Sequence, residues 1–450
     1  LTTNSNGRVT YTGLNISGTV GTRTLTFASN GLTSATSNNI SITAGAATQI
    51  AINAGNNQTA VAGAAVATAP SVIVRDANNN PVAGQTVTFA VATGGGTITG
   101  ATATTNPQGI ATLGSWTLGT TAGSNTLTAT SGSLTGSPLT FTATGTPGAA
   151  TTLLITTEPS ATAQNDVNFA QQPRVQLRDA NGNNVLQAGV TIMASLASGS
   201  ATLGGTLSAT TDANGLAIFT NLKITGATGN RTIRFTSDNL TPDTSRTVSI
   251  TAGAATQLAI ITQPSATAQS GANFAQQPVV ELRDISGNPV PTAGTSITVS
   301  IATGGGTLGG TATLTTNSNG RVTYTGLNIS GTVGTRTLTF ASNGLTSVTS
   351  NNINITAGAA TQIAINAGNN QTAVAGAAVA TAPSVIVRDA NNNPVSGETV
   401  TFAVATGGGT ITGATATTNA QGIATLGSWT LGTTAGSNTI TATRAGLTGS

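Results

Sequence analysis

Pro70-Ser-Val-Ile-Val-Arg-Asp-Ala-Asn-Asn-Asn-Pro-Val-Ala-Gly-Gln-Thr-Val-Thr-Phe-Ala-Val91 decides the fold. Val72 and Val74 alternate with their neighbours, which is the period of a strand with one buried face. The run Asp76 to Val82 predicts a turn, because Asp and Asn side chains bond to nearby backbone and Pro81 fixes φ. Thr86 to Val91 alternates again and places Val87, Phe89 and Val91 on one face. Two period-2 stretches around a polar turn predict an antiparallel hairpin. The same reading extends outward. Thr48–Asn53 predicts an earlier strand, and Gly94-Gly-Gly96 breaks the third. Thr97–Thr105 reads as one Thr/Ala-rich strand. After the turn Asn106-Pro-Gln-Gly109 come Ile110–Leu113, Trp116–Leu118, Asn125–Thr130 and Leu139–Ala143. Roughly seven or eight short strands, turn signals every 8–12 residues and no helical period together predict an antiparallel β-sandwich.

The chain then repeats that reading. Leu1–Ser137 matches Leu314–Ser450 at an offset of 313 residues. Nine positions differ: 35/348, 41/354, 83/396, 85/398, 107/420, 127/440, 131/444, 132/445 and 133/446. A shorter period lies inside the long one. The Gly-Ala-Ala-Thr motif ends at Thr48, Thr151, Thr256 and Thr361, at spacings of 103, 105 and 105 that sum to 313. The expected architecture is all-β: tandem immunoglobulin-like antiparallel sandwiches in a linear array. The expected modules are 44–146, 147–251 and 252–356, with a C-terminal partial module at 1–43 and a truncated one at 357–450. Leu1 is not an initiator Met and the chain starts and stops inside modules, so it reads as a window of a longer polypeptide. Junctions such as Thr251-Ala-Gly-Ala-Ala-Thr256 leave little reach, so neighbouring modules are expected to touch end to end. Near-identical modules are never adjacent, an order that limits strand swapping during folding.

Composition removes most chemistry. Charged residues are 6%, far below the usual ~25%. Hydrophobic residues are 38% and alternate, which argues against disorder. Fourteen basic residues against eleven acidic give a net +3 with no basic stripe, and Lys223 is the single lysine. Nucleic-acid binding needs clustered cations, so no nucleic-acid partner is expected. Cys is absent, which removes disulfides, thiolate metal sites and cysteine nucleophiles, and suits an oxidising exterior. No apolar run of membrane-spanning length occurs. With no His, acid–base catalysis has little to work with, and no cofactor is expected.

The Asp turn recurs at Asp179, Asp284 and Asp389, and the turn glycine Gly109 at Gly7, Gly215, Gly320 and Gly422. Trp116 is matched by Leu14, Leu222, Leu327 and Trp429, an interchange that suits packing. Asp76, Pro81, Gly109, Trp116, Asp179, Gly215, Asp284, Gly320, Asp389, Gly422 and Trp429 are therefore expected to be structural turn and core residues. The set Asp76, Asn80, Pro81, Val82, Gly84, Val87, Phe89, Thr104, Thr105, Gly109 and Ala111 resembles bacterial immunoglobulin-like domains of the invasin/intimin type, module by module over the chain. The resemblance implies an extracellular β-sandwich used in tandem as a stalk, in large surface adhesins or secreted repeat proteins whose binding tip is a separate domain.

A few constellations offer chemistry. Asp76, Asn78 and Asn80 mimic the start of a calcium loop, although Asn181 and Ser286 stand at the position of Asn78 in sister modules and no Gly-x5-Glu follows. An Asx-type turn is the alternative. Gly94–Gly96 lacks the Lys and helix of a phosphate loop. Lys223 is the single side-chain amine for an isopeptide bond, and Glu158 with Asp166, eight residues apart, is a candidate carboxylate pair for glycoside cleavage. Trp116 and Trp429 offer sugar stacking, and Thr-x-Thr runs such as Thr102–Thr104 and Thr126–Thr130 offer a flat hydroxyl face. The expected function is a non-enzymatic extracellular structural segment: the stalk of a giant bacterial surface adhesin or matrix protein. The alternatives are a subunit of a polymeric filament or sheath, and a polysaccharide- or ice-binding module. Expected partners are neighbouring modules and, in a filament, like chains.

Overall fold

Branched Cβ atoms and alternation place nearly every apolar stretch in a strand, and the computed structural model, which describes residues 1–449, contains no helix. None of its described elements is therefore a helix long and apolar enough to cross a membrane. In the first complete sandwich the strands are β1 (Ala47–Ala54), β2 (Gln58–Val61), β3 (Ser71–Asp76), β4 (Thr86–Thr93) and β5 (Gly96–Thr99). They continue with β6 (Thr102–Thr104), β7 (Ile110–Thr112), β8 (Ser115–Leu118), β9 (Gly123–Thr130) and β10 (Leu139–Thr146).

One sheet has the order β7-β3-β1, the facing sheet β6-β4-β9-β10-β2, and β5 pairs with β8 as a ribbon at one end. Registers such as Val72 opposite Ala111, and Leu127 opposite both Val91 and Phe141, keep the apolar set inward. Val72, Val74, Val87, Phe89, Leu127 and Phe141 are buried between the layers. Each such side chain contributes about 1.5–3 kcal/mol on burial. The Phe89 and Phe141 rings meet with centroids 6.4 Å apart.

Three details differ from the sequence reading. β3 and β4 form no hairpin, because the turn from Asp76 to Val82 hands the chain across to the facing sheet, where β3 pairs with β1 and β7 while β4 pairs with β6 and β9. Thr97–Thr105 is two strands, because Gly100 (φ 65°) turns the chain from the β5 ribbon into the main sheet at β6. The sandwich is also not purely antiparallel. The chain leaves β1 through Gly55 and Asn57, both at positive φ, crosses to the other sheet and runs as β2 parallel to β10. The crossing brings the first strand of the sandwich alongside its last, and the same parallel pairing recurs between Thr162–Gln164 and Val248–Thr251 and between Thr267–Gln269 and Ile353–Thr356.

Three further apolar cores follow along the chain. They centre on Val175, Leu177, Ile192 and Phe235; on Val280, Leu282, Ile297 and Phe340; and on Val387, Val400 and Phe402. Each has its own three-stranded sheet facing a second sheet, six-stranded in the second and third sandwiches and three-stranded in the fourth, so the fold is a tandem array of immunoglobulin-like sandwiches. In the second and third, the counterpart of β10 is broken into two pieces, Asp243–Thr244 with Val248–Thr251 and Val348–Thr349 with Ile353–Thr356. Residues 1–43 form two small ribbons, Gly21–Arg23 with Ile40–Ile42 and Thr26–Phe27 with Ala35–Thr36. Ser450, the end of the expected 357–450 module, lies outside the described residues.

Candidate functional site: the joints between sandwiches

Each Asp turn reaches beyond its own sandwich. Asp76 Oδ1 accepts the backbone N–H groups of Asn78 (2.9 Å) and Asn80 (2.8 Å). Its Oδ2 accepts the Asn80 Nδ2 amide (2.9 Å) and the N–H of Gly45 in the connecting segment (2.8 Å). The same four donors converge on Asp179 from Asn181, Asn183 and Gly148. On Asp284 they come from Ser286, Asn288 and Gly253, and on Asp389 from Asn391, Asn393 and Gly358. All four carboxylates are buried. The connecting glycine is required here. A Cβ at Gly253 would lie 2.6 Å from the Asn165 carbonyl oxygen, and one at Gly358 2.7 Å from that of Ser270. That close approach accounts for the glycine of the recurring Gly-Ala-Ala-Thr motif at these two joints.

The carboxylate aims the Asn amide at the preceding sandwich, or for Asn80 at the preceding ribbons. Asn80 Nδ2 donates to the Gly18 carbonyl (2.7 Å) while its Oδ1 accepts from Val20 N–H (2.8 Å). Asn183 spans Thr120 O (2.9 Å) and Ala122 N–H (2.8 Å). Asn288 spans Gly226 O (2.8 Å) and Thr228 N–H (3.0 Å). Asn393 spans Gly331 O (2.8 Å) and Val333 N–H (2.9 Å). One side-chain amide thus clasps both backbone groups of a loop about 60 residues upstream, and the same clasp recurs at four successive joints. Both ends of the amide need this orientation, since only Nδ2 serves the carboxylate and the carbonyl.

The clasped loops are themselves braced. Arg231 Nη2 donates to Ala227 O (2.8 Å) and Arg336 Nη2 to Thr332 O (2.6 Å), with both guanidinium groups largely buried. Arg23 makes the same bond to Thr19 O (3.0 Å). In the first sandwich the neutral Asn125 takes that place, accepting from Gly119 N–H and donating to Gly123 O.

Electrostatics follow from the donors. The Asn80 amide, against the opposing effect of burial and with the backbone N–H groups of Gly45, Asn80 and Asn78, holds the Asp76 carboxyl down at about 2. At Asp179, Asp284 and Asp389 burial works to raise the pKa, yet the Asn amide and the backbone donors keep each carboxyl below the usual range. Asp76, Asn78 and Asn80, the partial calcium loop of the sequence, therefore surround the carboxylate with N–H donors, which suit the anion itself and repel a cation. Among the described residues there is no cluster of three or more His, Cys, Asp or Glu able to hold a metal.

The other singled-out residues lie apart from the joints or support them. Gly109 (φ 75°) closes its turn against β3, where a Cβ would sit 2.7 Å from Val74 O; Gly422 does the same at Val387 O. Gly215 and Gly320 occupy the matching turns at φ 72°. Pro81 pairs with Arg75 at the turn. Trp116 is fully buried and Trp429 nearly so; both indole Nε1–H groups lack a partner, and Leu222 and Leu327 fill the same place. Lys223 Nζ lies 2.7 Å from Asp166, whose pKa that lysine lowers, while Glu158 accepts from Arg246 N–H. Sequence reasoning placed Asn80 only in the turn, the partial calcium loop and the family pattern, and gave Asn183, Asn288 and Asn393 no role, because the partners that matter lie across the joint. The available signal was that this Asn stays fixed four residues after every Asp, while the residue two earlier changes.

No protein-family model matches the chain, and no curated protein sequence matches it either. Among solved structures it is similar to FdeC, an adhesin of Escherichia coli, at 19% identity over 70% of this chain and 100% of that one, with a TM-score of 0.37. It is similar to InvD of Yersinia pseudotuberculosis at 21% identity, 67% and 96% coverage and a TM-score of 0.33. Invasin, a bacterial integrin-binding protein, is similar at 14% identity, 84% and 73% coverage and a TM-score of 0.30. Likenesses this distant say nothing about what the present chain binds.

Proposed function

We propose that this chain is a non-enzymatic, extracellular structural segment, a stalk or spacer of a large bacterial surface adhesin or matrix protein. Its mechanism is mechanical. Each sandwich contributes a fixed length, and each joint holds its neighbour in a set orientation. The observation that carries the reading is the Asp–Asn clasp repeated at four successive joints with the same donors and acceptors. Charge-assisted hydrogen bonds are about twice as strong as neutral ones, and here a buried carboxylate fixes the clasping amide. A flexible chain of beads has no use for such joints; a spacer does. The absence of Cys and the low charge support an exposed, oxidising location, and the scarcity of acid–base groups supports a role without catalysis.

Electron microscopy of the purified chain tests this. The expected image is a narrow beaded rod, each sandwich adding roughly 35–45 Å. A compact cluster, or a string bent freely at every joint, overturns the reading. Regular side-by-side packing of rods would favour the filament alternative.

A further inference from the structure

Beside the constant clasp, each of the three joints between sandwiches has a second contact that changes from joint to joint. On the upstream side it uses the residue just after the strand that runs parallel to the last strand: Ala62, Asn165 or Ser270. On the downstream side it uses the residue two after the Asp: Asn181, Ser286 or Asn391. Asn181 Nδ2 donates to the Ala62 carbonyl (3.3 Å). At the next joint the roles reverse. Asn165 Nδ2 donates to Ser286 Oγ (2.9 Å) and to Asp284 Oδ2 (2.9 Å), while Asn165 Oδ1 accepts from Gly226 N–H (2.8 Å). At the third, Asn391 Nδ2 donates to Ser270 Oγ (3.0 Å), and that hydroxyl also accepts from Gly331 N–H and donates to Gly331 O.

Each of these three joints therefore holds one Asn amide against one small residue, and the side that carries the Asn alternates. Two Asn side chains facing each other would compete for one space and for the same acceptors. Two small residues would leave a gap and, at the second joint, take an amide from a carboxylate that is fully buried. We propose that this pair is a matching code that decides which sandwich seats behind which: an Asn end accepts a Ser loop, and a small end accepts an Asn loop. The partner of each face is thus a second sandwich of stated type, in the same chain or in another copy. The code requires contact between sandwiches and does not depend on the stalk reading. It permits only the class beginning near residue 252 to follow the class beginning near residue 147, which is the order the sequence shows.

The test is a double-mutant cycle in the full chain, read by amide hydrogen exchange at Thr228 N–H, which bonds across the joint to Asn288 Oδ1 (3.0 Å). Ser286→Asn places Asn against Asn165 and is expected to speed exchange there by about five- to tenfold, as is Asn165→Ala, which removes the amide. The double variant recreates the Ala–Asn pair of the first joint and is expected to return to within about twofold of the parent. Exchange in the core strands, at Ile233 and Leu338, reports whether the flanking sandwiches stay folded. A parallel cycle, Ser270→Asn with Asn391→Ser, is read at Val333 N–H, so a variant that fails to fold at one joint leaves the other to decide. The code is overturned if the double variant exchanges as fast as the faster single one, or if facing Asn residues exchange like the parent.

Discussion

Asn288→Ala is the sharpest probe of the joint. The side chain holds two backbone groups of the preceding sandwich, Gly226 O at 2.8 Å and Thr228 N–H at 3.0 Å, and is itself held by Asp284 Oδ2 at 2.9 Å. Removal deletes both cross-joint bonds. At about 1 kcal/mol net for each, the closed joint loses about 2 kcal/mol relative to the open one. That is roughly a 30-fold shift in the closed-to-open ratio. The sandwich itself should hardly notice. Asp284 keeps Gly253 N–H, Ser286 N–H, Asn288 N–H and the Asn165 amide, so the variant leaves no bare charge. The perturbation therefore separates joint from fold. Because the chain has no Cys, a nitroxide pair on cysteines introduced at the exposed Thr206 and Thr311 reports the distance between the second and third sandwiches. The parent should give one narrow distance distribution and Asn288→Ala a broad one, with a thermal midpoint shifted by only a few degrees. Asn288→Asp should broaden it further, since an acceptor would then face both Asp284 and the Gly226 carbonyl. An unchanged width in Asn288→Ala refutes the claim that the amide holds the joint.

Three further outcomes follow from the same geometry. The Asp carboxyls have folded pKa values below their unfolded value of about 3.9, so their contribution is fully present above that pH and is lost as pH falls through the folded values, about 2 at Asp76. The nitroxide distances should thus stay constant from pH 9 to about 4, where no His titrates, and broaden only as the pH falls below that; broadening near pH 6 would contradict it. Trp116→Ala should lower the stability of the first sandwich by about 3–5 kcal/mol, whereas Trp116→Phe should cost less than about 1.5 kcal/mol because it also removes an unpartnered indole N–H, as denaturant midpoints would show. The fourth sandwich has an open groove of about 630 Å3 lined by Ile363, Phe402, Trp429 and Ile440, where the first sandwich seats β10 with Phe141 buried. A peptide of the sequence Leu139–Thr146 should dock there and quench Trp429 exchange and fluorescence changes; a scrambled peptide binding equally well would refute the strand-for-strand match.

Much of the fold was legible because it is local. Alternation at Val72–Val74 and Val87–Val91, and the Asp76–Pro81 turn, are written within a few residues of each other, and the structure has strands and turn there. The split at Gly100 was hidden because Thr and Ala carry little facing preference, and the φ of a glycine is not printed in the sequence. β2 was hidden for another reason: four residues, Gln58–Val61, gain their strand pairing from β10, which lies 85 residues later (143 − 58). The joints were least legible of all. Asp76 reads as a turn former and so it is, but the amide it orients, Asn80, finds its partners at Gly18 and Val20. The buried Arg231 and Arg336 look in the sequence like scattered charge, whereas they brace the loops that the clasps grip.

The chain also contains its own control for where burial comes from. Residues 1–43 and 314–356 share all but two residues, Ala35/Val348 and Ser41/Asn354. In the longer context Tyr324 and Leu327 are fully buried, the Tyr324 hydroxyl donates to Ile297 O at 3.0 Å, and burial lifts its pKa to about 12. In the shorter context Tyr11 and Leu14 are 46% and 59% exposed, and the Tyr11 ring meets Phe27 with centroids 5.4 Å apart. The difference is the facing sheet, Gln257–Thr262 and Val279–Arg283, and the strand Ser296–Thr303 that carries Ile297. Local alternation alone supplies neither strand nor burial here: residues 8–10 and 15–17 are not strands although their copies Arg321–Thr323 and Asn328–Ser330 are, and the second layer supplies both. The joint clasp obeys a different rule. The Gly18–Val20 loop still meets Asn80 although the core behind it is open, because two backbone groups and one oriented amide are all that the clasp requires. Core and joint are thus separable in the physics as well as in the sequence, and that separation is what allows a sandwich to change its core residues, Trp116 for Leu222, while the Asp and Asn of its joint stay fixed.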